Sequence, residues 1–175
     1  MNQPLIVAVG VPADSRLSQY FPEERYADAY AVPLAAHHPA QAPAVARLLL
    51  GQGPNWVRRL LRLRDWLVRP LGLATFPTQA APAPEPPLVA GGQLGPFRVF
   101  SVEPQEVVLG QDDHHLDFRV SVWVPAGAEP RRAVLSTAVR FHNRLGRVYF
   151  ALIRPFHHLV VKALLRHALR AAPAA

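Results

Sequence analysis

The chain has 175 residues, half of them hydrophobic, which is enough for one domain with a real core and gives no sign of two. It contains no cysteine, so disulfides, thiolate nucleophiles and cysteine-containing zinc sites are excluded. The formal charge of +7 raises nucleic acid or an anionic membrane as partners, but nearly all of the basic residues are Arg, and Ala and Pro are abundant beside them. That combination fits a GC-rich bacterial genome, whose arginine excess is scattered, whereas a nucleic-acid footprint clusters among aromatic residues. Nucleic acid is therefore not expected.

The N-terminal stretch MNQPLIVAVGVPADSRL carries an apolar run with no basic residue ahead of it and with Pro4 and Pro12 close around it, which does not read as a signal peptide. A cytoplasmic protein is expected. Residues 5–9, LIVAV, are β-prone, a first strand or a surface arm. YADAYAVPL, residues 26–34, reads as a strand with Asp28 and Tyr30 on one face and the small Ala27, Ala29 and Ala31 on the other. A short helix is expected from about Pro43 to a cap at Gly51. A second starts near Pro54 or Asn55 and ends before Pro70, with Trp56, Leu60, Leu63 and Leu67 as its apolar stripe, widened by Val57, Leu61 and Val68. Arg64 falls inside that apolar sector, so its guanidinium must snorkel, pair with a carboxylate or meet a ligand anion.

Residues 77–96, PTQAAPAPEPPLVAGGQLGP, are rich in Pro, Gly and Ala without apolar periodicity and read as a long mobile loop. Strands follow at 97–102 and 105–109, then a turn at 110–115. Leu116, Phe118, Val120, Val122 and Val124 alternate with Asp117, Arg119, Ser121 and Trp123, which predicts a strand with one core face and one wet face. A second long strand alternates Leu135, Thr137, Val139 and Phe141 with Ser136, Ala138, Arg140 and His142.

The stretch RFHNRLGRVYFALIRPFHHLVVKALLRHAL then leads from this strand into a long helix. Tyr149, Leu152, Ile153, Phe156, Leu159, Val160, Ala163, Leu164 and His167 recur at helical spacing and predict a buried stripe, with Arg147, Arg154, His158 and Lys162 opposite. Pro155 should kink or divide the helix. No uncharged run approaches the roughly 20 residues of a membrane span. The order of elements predicts an α+β fold: a curved antiparallel sheet with one apolar face, covered by the C-terminal helix, with two helices inserted after the first strand and a cavity between sheet and helix.

FRVSVWV and RFHNRLGRVYFALIRPFHHLVVKALLRHAL, together with YADAYAVPL, WVRRLLRLRDWLVRPLGL and EVVLGQDDHHLDFRVSV, resemble a bacterial domain-of-unknown-function family, DUF2867. The resemblance covers most of residues 26–170 and implies a relative of the helix-grip proteins, the START-like superfamily (SRPBCC) that includes polyketide cyclases and holds apolar ligands between sheet and helix. Similar domains are fused behind short-chain NAD-dependent reductases, which implies a reductase partner. The chain itself has no glycine-rich dinucleotide fingerprint, and no cofactor is expected.

The leading expectation is binding of a small apolar molecule, lipid-like or polyketide-like, lined by Phe118, Val120, Val139, Phe141, Tyr149, Leu152 and Phe156. Arg64 and His157 complete the candidate site as its polar groups. An enzyme of cyclase, dehydratase or isomerase type would use Tyr149, His157 or Arg64 to polarise a carbonyl. An interaction module would dock on a reductase, or peripherally on a membrane, through the basic faces of residues 58–69 and 147–170. His37 and His38, His114 and His115, and His157 and His158 are adjacent pairs, which diverge on a helix or strand and so rarely chelate one metal. Asp112 and Asp113 beside His114 and His115 read as a solvated turn, and no metal is expected.

Overall fold

A computed structural model describes residues 5–22, 26–69 and 87–171. Seven antiparallel strands form one sheet: β1 (Val7–Val9), β2 (Tyr26–Pro33), β3 (Gln93–Leu94), β4 (Phe97–Val102), β5 (Glu106–Asp112), β6 (Leu116–Trp123) and β7 (Arg132–Phe141). Their order in space is β1-β2-β7-β6-β5-β4-β3, so the chain places β2 beside β7 and builds the other half of the sheet as a meander. Four helices accompany it among the described residues: α1 (Leu17–Tyr20), α2 (Ala42–Leu50), α3 (Asn55–Val68) and α4 (Arg144–Ala171). The expected α+β architecture, a curved antiparallel sheet with a long C-terminal helix and two helices inserted after the first strand, is the one observed, the strand ahead of α2 and α3 being β2.

The main core lies where α2 and the second half of α4 meet one sheet face: Val45 and Leu49 from α2, Val161, Leu165 and Ala168 from α4, and Val107, Leu109, Val120, Val122 and Leu135 from the strands. A smaller cluster of Leu116, Val139 and Phe150 closes the other end of the α4 contact. Asn143 caps α4, its Oδ1 accepting the backbone N–H of Gly146 at 3.0 Å. Gly146 is required there, because a Cβ would come within 2.0 Å of the carbonyl oxygen of His115. The helix continues through Pro155 rather than dividing. Ala151, whose carbonyl loses its usual donor to the proline, is exposed, so water can satisfy it.

Three expectations change in the structure. The face of β6 expected to be wet is covered: Asp117, Arg119 and Ser121 are all buried, because the N-terminal segment folds across it. Ser15 and Ser121 both donate to Oε1 of the buried Glu106, and the backbone N–H of Arg16 donates to its Oε2 at 2.8 Å. Arg119 stacks on Phe100, its guanidinium carbon 3.6 Å from the ring centroid, and reaches Asp112 at 2.7 Å. The second change is in the segment 77–96, of which residues 77–86 lie outside those described. Its other end forms β3, because Gly91 and Gly95 take positive φ angles of 85° and 56° that let the chain return against β4.

The third change is the rotation of α4. Phe150, Val161, Leu165 and Ala168 are buried, whereas Leu152 is 69% exposed and Phe156 and Leu159 are each 53% exposed. His158, expected to face outward, is turned to the sheet. The helix is apolar on most of its circumference, so the stripe beginning at Tyr149 and the one beginning at Phe150 satisfy the same spacing. The close approach of Gly146 to β6 selects the second. In α3 the same thing happens: Val57 and Val68 are buried, while Trp56, Leu63 and Leu67 are exposed together with Trp66.

Candidate functional site

Between its two apolar contacts with the sheet, α4 meets a polar group. Tyr26, Asp28 and Tyr30 alternate along β2 and therefore share one face. His157 and His158, about 100° apart on the helix, straddle the line that faces this strand. His157 Nε2 lies 3.0 Å from Asp28 Oδ2, and the Tyr26 hydroxyl donates to the same oxygen at 2.8 Å. The Tyr30 hydroxyl and His158 Nδ1 share a hydrogen bond of 2.8 Å, and His158 Nδ1 is 3.4 Å from Asp28 Oδ2. The Asp28 side chain is 13% exposed, His157 19% and His158 35%, so the group opens to solvent along one edge.

Its electrostatics follow from burial and these bonds. Burial opposes the charge on Asp28, but hydrogen bonds from His157, Tyr26 and Thr137 outweigh it and hold the carboxyl below the ordinary carboxylate range. Burial, followed by the Asp28 carboxylate, pushes the Tyr26 and Tyr30 phenols up. Burial pulls His158 down, with Arg154 and Lys162 adding to the effect against the attraction of Asp28. At neutral pH the group is one carboxylate among neutral phenols and a neutral His158 imidazole, able to donate to and accept from a carbonyl or hydroxyl group.

A second polar group ties α3 to the start of α4. Arg64 Nε donates to the Tyr149 hydroxyl at 2.7 Å, and Arg64 Nη1 donates to Asp65 at 2.8 Å. Of the three fates open to Arg64, the carboxylate pair is the one found. The buried His115 ring meets Tyr149 edge-on at 5.1 Å, and Asp113 approaches both His114 (2.6 Å) and His115 (3.3 Å). The turn thus brings one ligand atom each of Asp113, His114 and His115 within 4.8 Å, closer than the divergence of adjacent residues suggested. Arg140 and His142 both hold Asp117, at 2.6 and 3.0 Å, as structural partners.

The sequence candidates therefore separate. Arg64 and Tyr149 meet each other, while His157 sits two turns along α4 with Asp28. Phe118, Val139 and Phe141 cluster with Phe150, and Val120 belongs to the main core. Leu152 and Phe156 do not line the sheet–helix interface, being on the outer face of α4. The alternation around Asp28 was visible in the sequence, but nothing local shows that the facing element brings two histidines to it. A groove of about 310 Å³ lies elsewhere, lined by residues 40–41, 104–105, 124–129 and 131–132.

A seven-stranded antiparallel sheet with a long C-terminal helix laid on its face defines a helix-grip domain. Within that class the chain belongs to the DUF2867 family, described as "Protein of unknown function (DUF2867)", whose profile matches residues 20–164. No curated protein matches the chain.

Proposed function

We propose that the protein binds a small, mostly apolar molecule, lipid-like or polyketide-like, between the sheet and α4, with the polar end of that molecule at Asp28, His157, His158, Tyr26 and Tyr30. The observation that carries this reading is a charged carboxylate with two imidazoles and two phenols held between two apolar stretches of one interface, with a solvent-facing edge. Ligand sites are mostly apolar with a few placed polar groups, and this arrangement has that composition. Phe118, Val139, Phe141 and Phe150 supply the apolar wall next to the polar group. The reading is that of a bacterial, cytoplasmic binder of the START-like kind.

A second reading, a cyclase, dehydratase or isomerase, draws on the Asp28–His157 distance of 3.0 Å, at which a carboxylate orients an imidazole for proton transfer. A reductase partner is supported by the family resemblance alone. Native mass spectrometry of freshly purified protein, compared with the denatured mass, tests the leading reading. The expected result is a bound species lost on denaturation and depleted in Asp28→Asn. Bare protein that also shows no NMR shift change in β2 or α4 on titration with a fatty-acid probe would overturn it.

A further inference from the structure

The basic residues are not scattered. Residues 55–69 and 144–171, which are α3 with its Arg69 cap and α4, hold 11 of the 19 basic residues and only one of the 12 acidic ones. That acid, Asp65, pairs with Arg64. The rest of the chain has more acid than base, so the positive charge of the molecule resides on these two helices.

The same helices carry most of the large apolar side chains that are exposed among the described residues. Trp66 is 71% exposed, Leu67 55% and Leu63 52% on α3, and Leu152 is 69% exposed with Phe156 and Leu159 at 53% on α4. The Arg64–Tyr149 bond joins the helices beside these residues: Leu63 and Leu67 flank Arg64, and Leu152 follows Tyr149 by one turn. By length and composition Arg144–Arg170 is apolar enough to cross a membrane, with 17% of its most apolar window buried. Yet Arg154 stands near its middle and Val161, Leu165 and Ala168 are committed to the core, so it can lie on a bilayer but not span one while folded.

We propose that the α3–α4 face docks on the surface of an anionic lipid bilayer, with Trp66, Leu67, Leu152 and Phe156 entering the headgroup region and the surrounding arginines meeting lipid phosphates. Charge complementarity selects this occupant. A second copy meeting the face by two-fold symmetry would oppose two strongly positive surfaces. A nucleic acid would match the charge but would not reward burial of Leu63, Leu67 and Leu152. An anionic bilayer takes both the arginines and the apolar side chains, as it does for amphipathic helices rich in Arg with Trp, Phe and Leu opposite.

Co-sedimentation with phosphatidylcholine vesicles, with and without phosphatidylglycerol, tests this, together with tryptophan fluorescence. The expected result is binding to the anionic vesicles alone, weakening as NaCl rises, with a blue shift of the emission. Arg58→Ser with Arg62→Ser should weaken partitioning roughly 30-fold. Trp66→Ser with Leu67→Ser, and separately Leu152→Ser with Phe156→Ser, should weaken it by about tenfold or more. All of these residues are exposed, so circular dichroism should be unchanged and the unfolding midpoint should not fall, which serves as the folding control. No binding, equal binding to neutral vesicles, or indifference to the apolar substitutions would each overturn the proposal. So would a concentration-dependent dimer by light scattering that the same substitutions disperse, since a second copy would then cover the face.

Discussion

Asp28 is the residue on which the sheet–helix interface turns, because three of its neighbours direct hydrogen bonds to one carboxylate. Asp28→Asn keeps the shape but removes the charge, and should cost about 1–3 kcal/mol at neutral pH. The folded pKa of Asp28 is depressed from 3.8, so its contribution is complete above that value and is lost as pH falls through the lower folded value. Urea unfolding of wild type and variant should show a constant gap well above pH 3.8 that narrows as pH falls below that value. A gap independent of pH would mean that packing, not charge, holds the pair. His115 behaves in the opposite chemical sense but with the same sign. Burial is the main cause that depresses it from 6.5, with His114 and Arg64 adding to that and Asp113 opposing. The folded state therefore resists a proton the unfolded chain accepts, and stability falls as pH drops below 6.5. His115→Phe should flatten this slope in thermal melts between pH 6.5 and 5, leaving a residual from His38 and His158, which burial also depresses. An unchanged slope would remove His115 from the account.

At the scale of elements, β6 and β7 were legible because strict alternation has one interpretation, whereas α4 was legible in length but not in rotation. A helix apolar on most of its circumference carries more than one stripe at three- and four-residue spacing, and only the tertiary contact of Gly146 with the His115 carbonyl decides between them. Arg64 was legible as a charged residue in the buried sector that needs a partner, and the structure supplies Asp65 and the distant Tyr149. The wet face assigned to β6 failed because Ser15 and Glu106, which fasten the N-terminal segment across it, are 91 residues apart. The rotation is directly testable. Leu165→Ala, at a fully buried position, should cost about 2–5 kcal/mol in denaturant unfolding, whereas Leu152→Ala should stay within about 0.5 kcal/mol. Equal costs, or the reverse order, would restore the stripe that begins at Tyr149. Gly146→Ala should be destabilising by about 1–3 kcal/mol, since its Cβ meets backbone that a rotamer change cannot relieve.

For the whole molecule, the uneven charge makes its own prediction. Gathering 11 basic residues and one acid on two helices joined side by side sets like charges against one another at the surface, where salt screens them. The main attractive pairs are less exposed to screening: Arg64 with Asp65, Arg119 with Asp112 and Arg140 with Asp117 each have at least one partner that is largely buried. Raising NaCl should therefore weaken the repulsion more than the attraction, and the unfolding free energy should rise, by about 1 kcal/mol between roughly 0.05 and 0.5 M salt. Replacing Arg58 and Arg62 by Ser thins the cluster, so the variant should gain stability at low salt and respond less as salt is added. Were wild-type stability to fall steadily with NaCl, the surface ion pairs would dominate, and the two helices would not be carrying unrelieved charge. In the membrane docking proposed for the α3–α4 face, the same charge would be relieved by an anionic surface, so the variant that gains stability at low salt should be the one that loses vesicle binding.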